Sequence, residues 1–124
     1  MAAGPDLDFI QAIVAAETRR NAAHRRRLAE RREALRAEAQ RLVPLLVACD
    51  PGITRIRLSG SVLPGRRLRM DSDLDLFVEG ASRFSDCLRI VEESDLPVDL
   101  LEWESFAQPI RGVIARDAEV LYGS

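Results

Sequence analysis

The chain has 124 residues, 47% of them hydrophobic and 31% charged, with a formal net charge of −2. That length and balance suit one folded domain and exclude a disordered chain. No apolar run approaches the roughly 20 residues that span a bilayer, and the N-terminus lacks a basic start followed by an apolar core, so no membrane anchor or signal peptide is expected and a cytoplasmic location is the default. All 18 basic residues are arginine, which rules out chemistry that needs a lysine nucleophile or a P-loop lysine.

From Asp6 to about Ala48 there is no glycine, and Ala, Leu, Arg and Glu dominate, with Pro44 the one interruption. These are strong helix formers. Phe9, Ile13 and Ala16, then Leu28, Leu35, Ala39, Leu42 and Leu46, recur at three-, four- and seven-residue steps and give one apolar stripe beside a charged face. A helix of about 40 residues would be roughly 60 Å long, so it either breaks near Asn21, where the stripe thins, or protrudes. Nine arginines between Arg19 and Arg41 make this region basic, interleaved with Glu17, Glu30, Glu33 and Glu38. A solvated face with pairs such as Glu30–Arg27, or packing against a partner, is favoured there over RNA binding, because no aromatic residues offer base stacking. His24, the single histidine, is expected at the surface.

Asp50-Pro51-Gly52 signals a turn, and Ile53 to Leu58 alternates in polarity as a half-buried strand does. The strand ends at Gly60-Ser61. An arginine-rich loop over 62–70 leads to a second strand, Asp73 to Val78, in which Asp73 and Asp75 share one face while Leu74, Leu76 and Val78 take the other. Phe84, Cys87, Leu88 and Val91 repeat at helical spacing, Val98 to Leu101 reads as a third strand, a last helix begins near Gln108-Pro109, and Glu119 to Tyr122 closes the chain as a short strand. Cys49 and Cys87 have no CxxC spacing and are expected as small core residues, neither disulfide nor metal ligands.

Two aspartates on one strand face hold both charges at a cost unless a cation lies between them, and their oxygens suit Mg2+ or Mn2+ better than zinc. On Asp73 and Asp75 alone, a polar turn before an ordinary strand is an equal reading. A calcium loop fails, since its sixth and twelfth positions would be Leu76 and Ser82. Gly60-Ser61 at a strand end offers backbone N–H groups and a hydroxyl where a phosphate can approach.

Gly60-Ser61, the loop, and Ser72-Asp73-Leu74-Asp75-Leu76 together resemble the signature of the minimal nucleotidyltransferases of the DNA polymerase β superfamily, over about residues 30–122, with Gly65 where that family often has glycine. The loop between Ser61 and Asp73 departs from the family pattern in length and in Val62 and Pro64. The resemblance implies an α/β (α+β) domain over 30–124, a small mixed sheet flanked by helices, preceded by a basic helical extension over 1–29. It implies catalytic and metal-binding carboxylates at Asp73, Asp75 and Asp99, with Glu102 in reserve, and nucleotide contacts from Gly60, Ser61 and Ser72. Two Mg2+ or Mn2+ ions and an NTP, taken as ATP, would be the cofactors and substrate, and a nucleoside monophosphate would pass to a hydroxyl of a protein or RNA. The partner would be a HEPN-type toxin neutralised by its antitoxin, or a second copy in a homodimer. The rival reading is a non-catalytic module of the same fold that binds and neutralises or scaffolds a partner.

Overall fold

A computed structural model describes residues 6–123; of the extension expected over 1–29, residues 1–5 lie outside the described residues. Helix α1 spans Leu7–Cys49, 43 residues in one piece, and its N-terminus is closed by Asp6, whose carboxylate accepts from the Asp8 amide at 3.1 Å. It does not break near Asn21, where the run holds neither glycine nor proline. At about 1.5 Å per residue it is roughly 65 Å long. Only its last third is buried, through Leu35, Ala39, Leu42, Val43 and Leu46. Pro44 sits inside the helix with its ring exposed. It removes one hydrogen bond, and burial of Leu42, Val43 and Leu46 around it holds the helix on course. The Glu30–Arg27 pair is not formed. Instead Glu17 pairs with Arg20 and Glu38 with Arg41, each three residues apart.

The strands β1 (Arg55–Ser59), β2 (Leu74–Glu79), β3 (Val98–Glu102) and β4 (Glu119–Tyr122) form one mixed sheet in the order β3-β2-β1-β4. β1 is antiparallel to β2 and to β4, and β3 is parallel to β2. The parallel pair needs a crossover, and α2 (Phe84–Glu92) supplies it, burying Cys87 and Val91. Ile56, Leu58, Leu74, Leu76, Val78 and Leu100 turn toward α1 and α2 and make the core with them. β4 is tied to α1 by a bidentate pair in which Arg36 donates to both Glu119 oxygens at 2.9 and 2.7 Å.

Asp50, which the sequence offered only as part of a turn, is fully buried. Its carboxylate accepts from the amides of Gly52 (3.1 Å), Ser82 (2.9 Å) and Arg83 (2.7 Å) and from the Ser82 hydroxyl (3.0 Å). Burial pushes its pKa up, but the hydrogen bonds from Arg83, Ser82 and Gly52 prevail and hold it below the usual carboxylate range. Asp50 ends α1 and, from across the chain, holds the Ser82-Arg83 backbone that leads into α2. Both cysteines are free thiols. Burial, with the neighbouring Asp50 charge, pushes Cys87 up to about 12, so it is an inert core residue.

The sheet face away from the long helices is covered at one end only. After β3 a single 3-10 turn, Trp103–Ser105, folds Trp103 back over the sheet. Arg57 is buried with its guanidinium 3.9 Å from the Trp103 ring centroid and 3.4 Å from Glu79, and Phe77 meets Trp103 and Phe106 edge-on at 5.9 and 5.6 Å. The opposite end of this face, where β2 and β3 begin, stays open. α3 (Ile110–Asp117) then leads into β4 and has no buried residue. Among the described residues no helix is long and apolar enough to cross a membrane.

Candidate active site

The open end of the sheet carries the carboxylates. Asp75 lies on β2 and Asp99 on β3, directly in register across the parallel pair, so their side chains leave the sheet on one face. Asp73 precedes β2 by one residue and shares the parity of Asp75. Ser59 of β1 is the antiparallel partner of Asp75, which brings the following Gly60-Ser61 turn beside the same carboxylate. The backbone at Gly60 has φ +91°, and a Cβ built there would sit 2.5 Å from Asp75 Oδ2. Glycine is required twice over, by conformation and by contact. Gly60→Ala is therefore expected to displace the Asp75 carboxylate, and a crystal structure of the variant should show that side chain rotated.

Asp75 is half-buried, and its carboxyl is pushed up to about 6, first by burial and then by the charges of Asp99 and Asp73. A cation at this position would offset the repulsion from Asp99 and Asp73 and favour the ionised carboxylate despite its burial. The donor set, all carboxylate oxygen beside a turn hydroxyl, fits Mg2+ or Mn2+. Among the described residues no three His, Cys, Asp or Glu side chains are already gathered closely enough to cage an ion. Asp73 and Asp99 are exposed, and like charges gain nothing by converging alone, so any such cage needs rotation of exposed side chains. Glu102, the reserve carboxylate, lies at the far end of β3, opposite Val78 and away from Asp75.

The loop between Gly60 and Asp73 is anchored on both sides. Val62, Leu63 and Leu68 enter the core, which accounts for an apolar residue at 62. Ser72 is buried; its hydroxyl accepts from the Arg69 amide at 2.9 Å, and its own amide donates to the Arg69 carbonyl at 3.0 Å. Ser72 therefore closes the turn that delivers Asp73. From α1, Arg32 donates to the carbonyls of Arg66 (2.6 Å) and Ser61 (3.5 Å), and Arg31 to that of Ser72 (3.3 Å). Arg31 and Arg32 thus tie this loop to α1, and the sequence did not single them out. Their signal was present, since they fall on the apolar side of α1 next to Leu28 and Leu35. Arg32→Ala should leave the helix intact and raise hydrogen-exchange rates over residues 61–68 several-fold.

Solved structures share this fold over 68–71% of the chain. The chain is similar to a candidate minimal nucleotidyltransferase at 29% identity and a TM-score of 0.57, over 71% of this chain and 93% of that one. It is also similar to a chain of a toxin–antitoxin complex with AMP-PNP, at 23% identity and a TM-score of 0.54, over 68% and 73% of the two chains. A mutant of the toxin–antitoxin complex MntA–HpeT matches at 21% identity and a TM-score of 0.54, over the same shares. No protein-family model and no curated protein matches the sequence. The protein is an α+β chain with a four-stranded mixed sheet; its fold is that of the minimal nucleotidyltransferases.

Proposed function

We propose that the protein is a metal-dependent nucleotidyltransferase that moves a nucleoside monophosphate from an NTP, ATP in the first instance, to a hydroxyl of a partner protein. The observation that carries this reading is the in-register placement of Asp75 and Asp99 on the open sheet face, with Asp73 two residues before Asp75 and the Gly60-Ser61 turn against it. Asp73, Asp75 and Asp99 would hold two divalent ions, which neutralise charge on the transferring phosphoryl group and activate the attacking hydroxyl when bound. Ser61 and the amides that follow Gly60 would hold the terminal phosphates, and Arg31 and Arg32 keep that loop in place. Because Trp103 and Phe106 close only the other end of the face, an acceptor can approach the carboxylates from solvent. The toxin–antitoxin neighbours support a protein partner; on this reading the partner is also the acceptor, and by analogy the chain is an antitoxin that acts on a HEPN-type toxin.

The exposed, ungathered Asp73 and Asp99 side chains favour one second reading, a binding module that neutralises its partner without chemistry. Labelled ATP, Mg2+ and the protein encoded beside this one separate the two. Label transfer by the wild type that is lost in Asp73→Ala/Asp75→Ala supports the enzyme; neutralisation by that variant without any label transfer by either form sinks it.

The pH dependence has a definite sign. Protons compete with metal at Asp75, so apparent Mg2+ or Mn2+ affinity should be flat above pH 7 and fall as pH drops through about 6, by up to about tenfold per pH unit. Calorimetric titration at stepped pH measures it.

A further inference from the structure

The N-terminal half of α1 projects beyond the domain. From Asp6 to Asn21 every residue but Ala16 is exposed, including Leu7 (67%), Phe9 (60%), Ile10 (40%), Ile13 (47%) and Val14 (58%). At about 100° per residue, Ile10 and Ile13 lie within about 40° of the direction of Leu35, and Val14 within about 60°. The apolar tip thus faces the same way as the stripe that packs on the sheet, but over empty space. Where the helix meets the domain there is a cleft of about 670 Å³ between α1 and the loop after Pro64, lined by His24, Leu28, Arg67, Leu68, Arg69 and Met70. An adjoining cleft adds Arg25, Arg32 and Arg66. Its floor is apolar and its rim is basic; among the described residues Arg25 and Arg67 have no carboxylate partner.

We infer that this overhang is the interface for a second copy of the chain, paired antiparallel through α1. Leu7, Ile10, Val14, Glu17, Asn21, His24 and Leu28 follow one another at alternating steps of three and four, the seam of a helix pair. An antiparallel pairing centred on Glu17 sets Leu7 of one protomer against Leu28 of the other, Ile10 against His24 and Val14 against Asn21. The acidic tip, Asp6, then arrives at the rim formed by Arg25 and Arg67, and the two Glu17 carboxylates, which meet at the centre, are each paired with their own Arg20. One chain holds both halves of the contact, an acidic apolar tip and a basic apolar cleft, at the spacing of the overhang, which is the self-complementarity of a two-fold interface. A parallel pairing would stack Arg25, Arg26 and Arg27 of the two copies against each other. RNA would leave the tip uncovered and meet Asp6 and Asp8 there. The pairing also sets the partner's tip beside Met70, three residues before Asp73. The inference does not depend on catalysis, since oligomeric state is read without substrate.

Sedimentation equilibrium on the full chain at micromolar concentration tests it. The expected mass is twice that of one chain, falling to one chain in Ile10→Glu/Val14→Glu with unchanged far-UV circular dichroism. Arg67→Glu should weaken dimerisation at least tenfold, and adding Asp6→Arg to it should restore most of the loss. A monomeric wild type, or a dimer indifferent to Ile10→Glu/Val14→Glu, overturns the inference, as does a charge reversal that Asp6→Arg fails to rescue. Salt-sensitive RNA binding by a monomer would assign the cleft to nucleic acid instead.

Discussion

Asp50→Ala is expected to destabilise the protein by about 3–5 kcal/mol, among the largest effects of any substitution outside the apolar core. The substitution strips three amides and one hydroxyl of their acceptor at a fully buried position. It also frees the start of α2 from the end of α1, and each unsatisfied donor costs about 1–3 kcal/mol, not additively. The pH sign follows from the depressed pKa of Asp50. Its contribution is complete above the unfolded carboxylate value of about 3.9 and is lost as pH falls through the lower folded value. Urea unfolding at pH 7 and again below pH 3 measures both statements: wild type and Asp50→Ala differ at pH 7 and converge in acid.

Asp75→Asn should separate stability from function in the opposite direction. Burial and the charges of Asp99 and Asp73 make the ionised Asp75 unfavourable in the folded chain. A folded pKa of about 6 against an unfolded value of about 3.9 means the native state holds the extra proton in that window. Stability therefore declines as pH rises through it. Removing the charge should raise stability at pH 7.5 by roughly 1 kcal/mol, after allowance for solvent screening of a half-exposed group. That is about 3–5 °C in Tm, fading toward pH 4. The same variant should lose nucleotidyl transfer by about a thousandfold or more, since a neutral amide is a weak partner for a divalent ion. Differential scanning calorimetry beside the transfer assay checks the pair; an Asn variant less stable than wild type at pH 7.5 contradicts the electrostatic account of the site.

These two aspartates also show what the sequence made legible. Asp73 and Asp75 stand two apart with Leu74 and Leu76 between and after them, so their shared face could be anticipated, as could α2 and β4 from their periodicity, while Asp99 was placed beside them by the family resemblance. Asp50 could not, because its partners Ser82 and Arg83 lie more than 30 residues away and a turn aspartate before proline and glycine has no local mark of burial. Trp103 and Arg57 were silent for the same reason: a 3-10 turn of three residues has no period to read, and Arg57 looked like the solvent side of a strand until Trp103 covered it. The part Ser72 plays in closing its turn was also not legible, because the bond its hydroxyl accepts from the Arg69 amide has no mark in the residue pattern. The loop from Val62 to Met70 was unreadable by pattern, and its order comes from α1 through Arg31 and Arg32.

On the proposed reading Asp73, Asp75 and Asp99 act as one metal and nucleotide site. Mn2+ binding followed by electron paramagnetic resonance, with a non-hydrolysable ATP analogue present, tests it most directly. Two bound Mn2+ per wild-type chain that depend on the analogue are expected, with loss of both in Asp75→Asn and of at least one in Asp99→Asn. Mn2+ binding that survives both substitutions, or no analogue-dependent binding by the wild type, would contradict it.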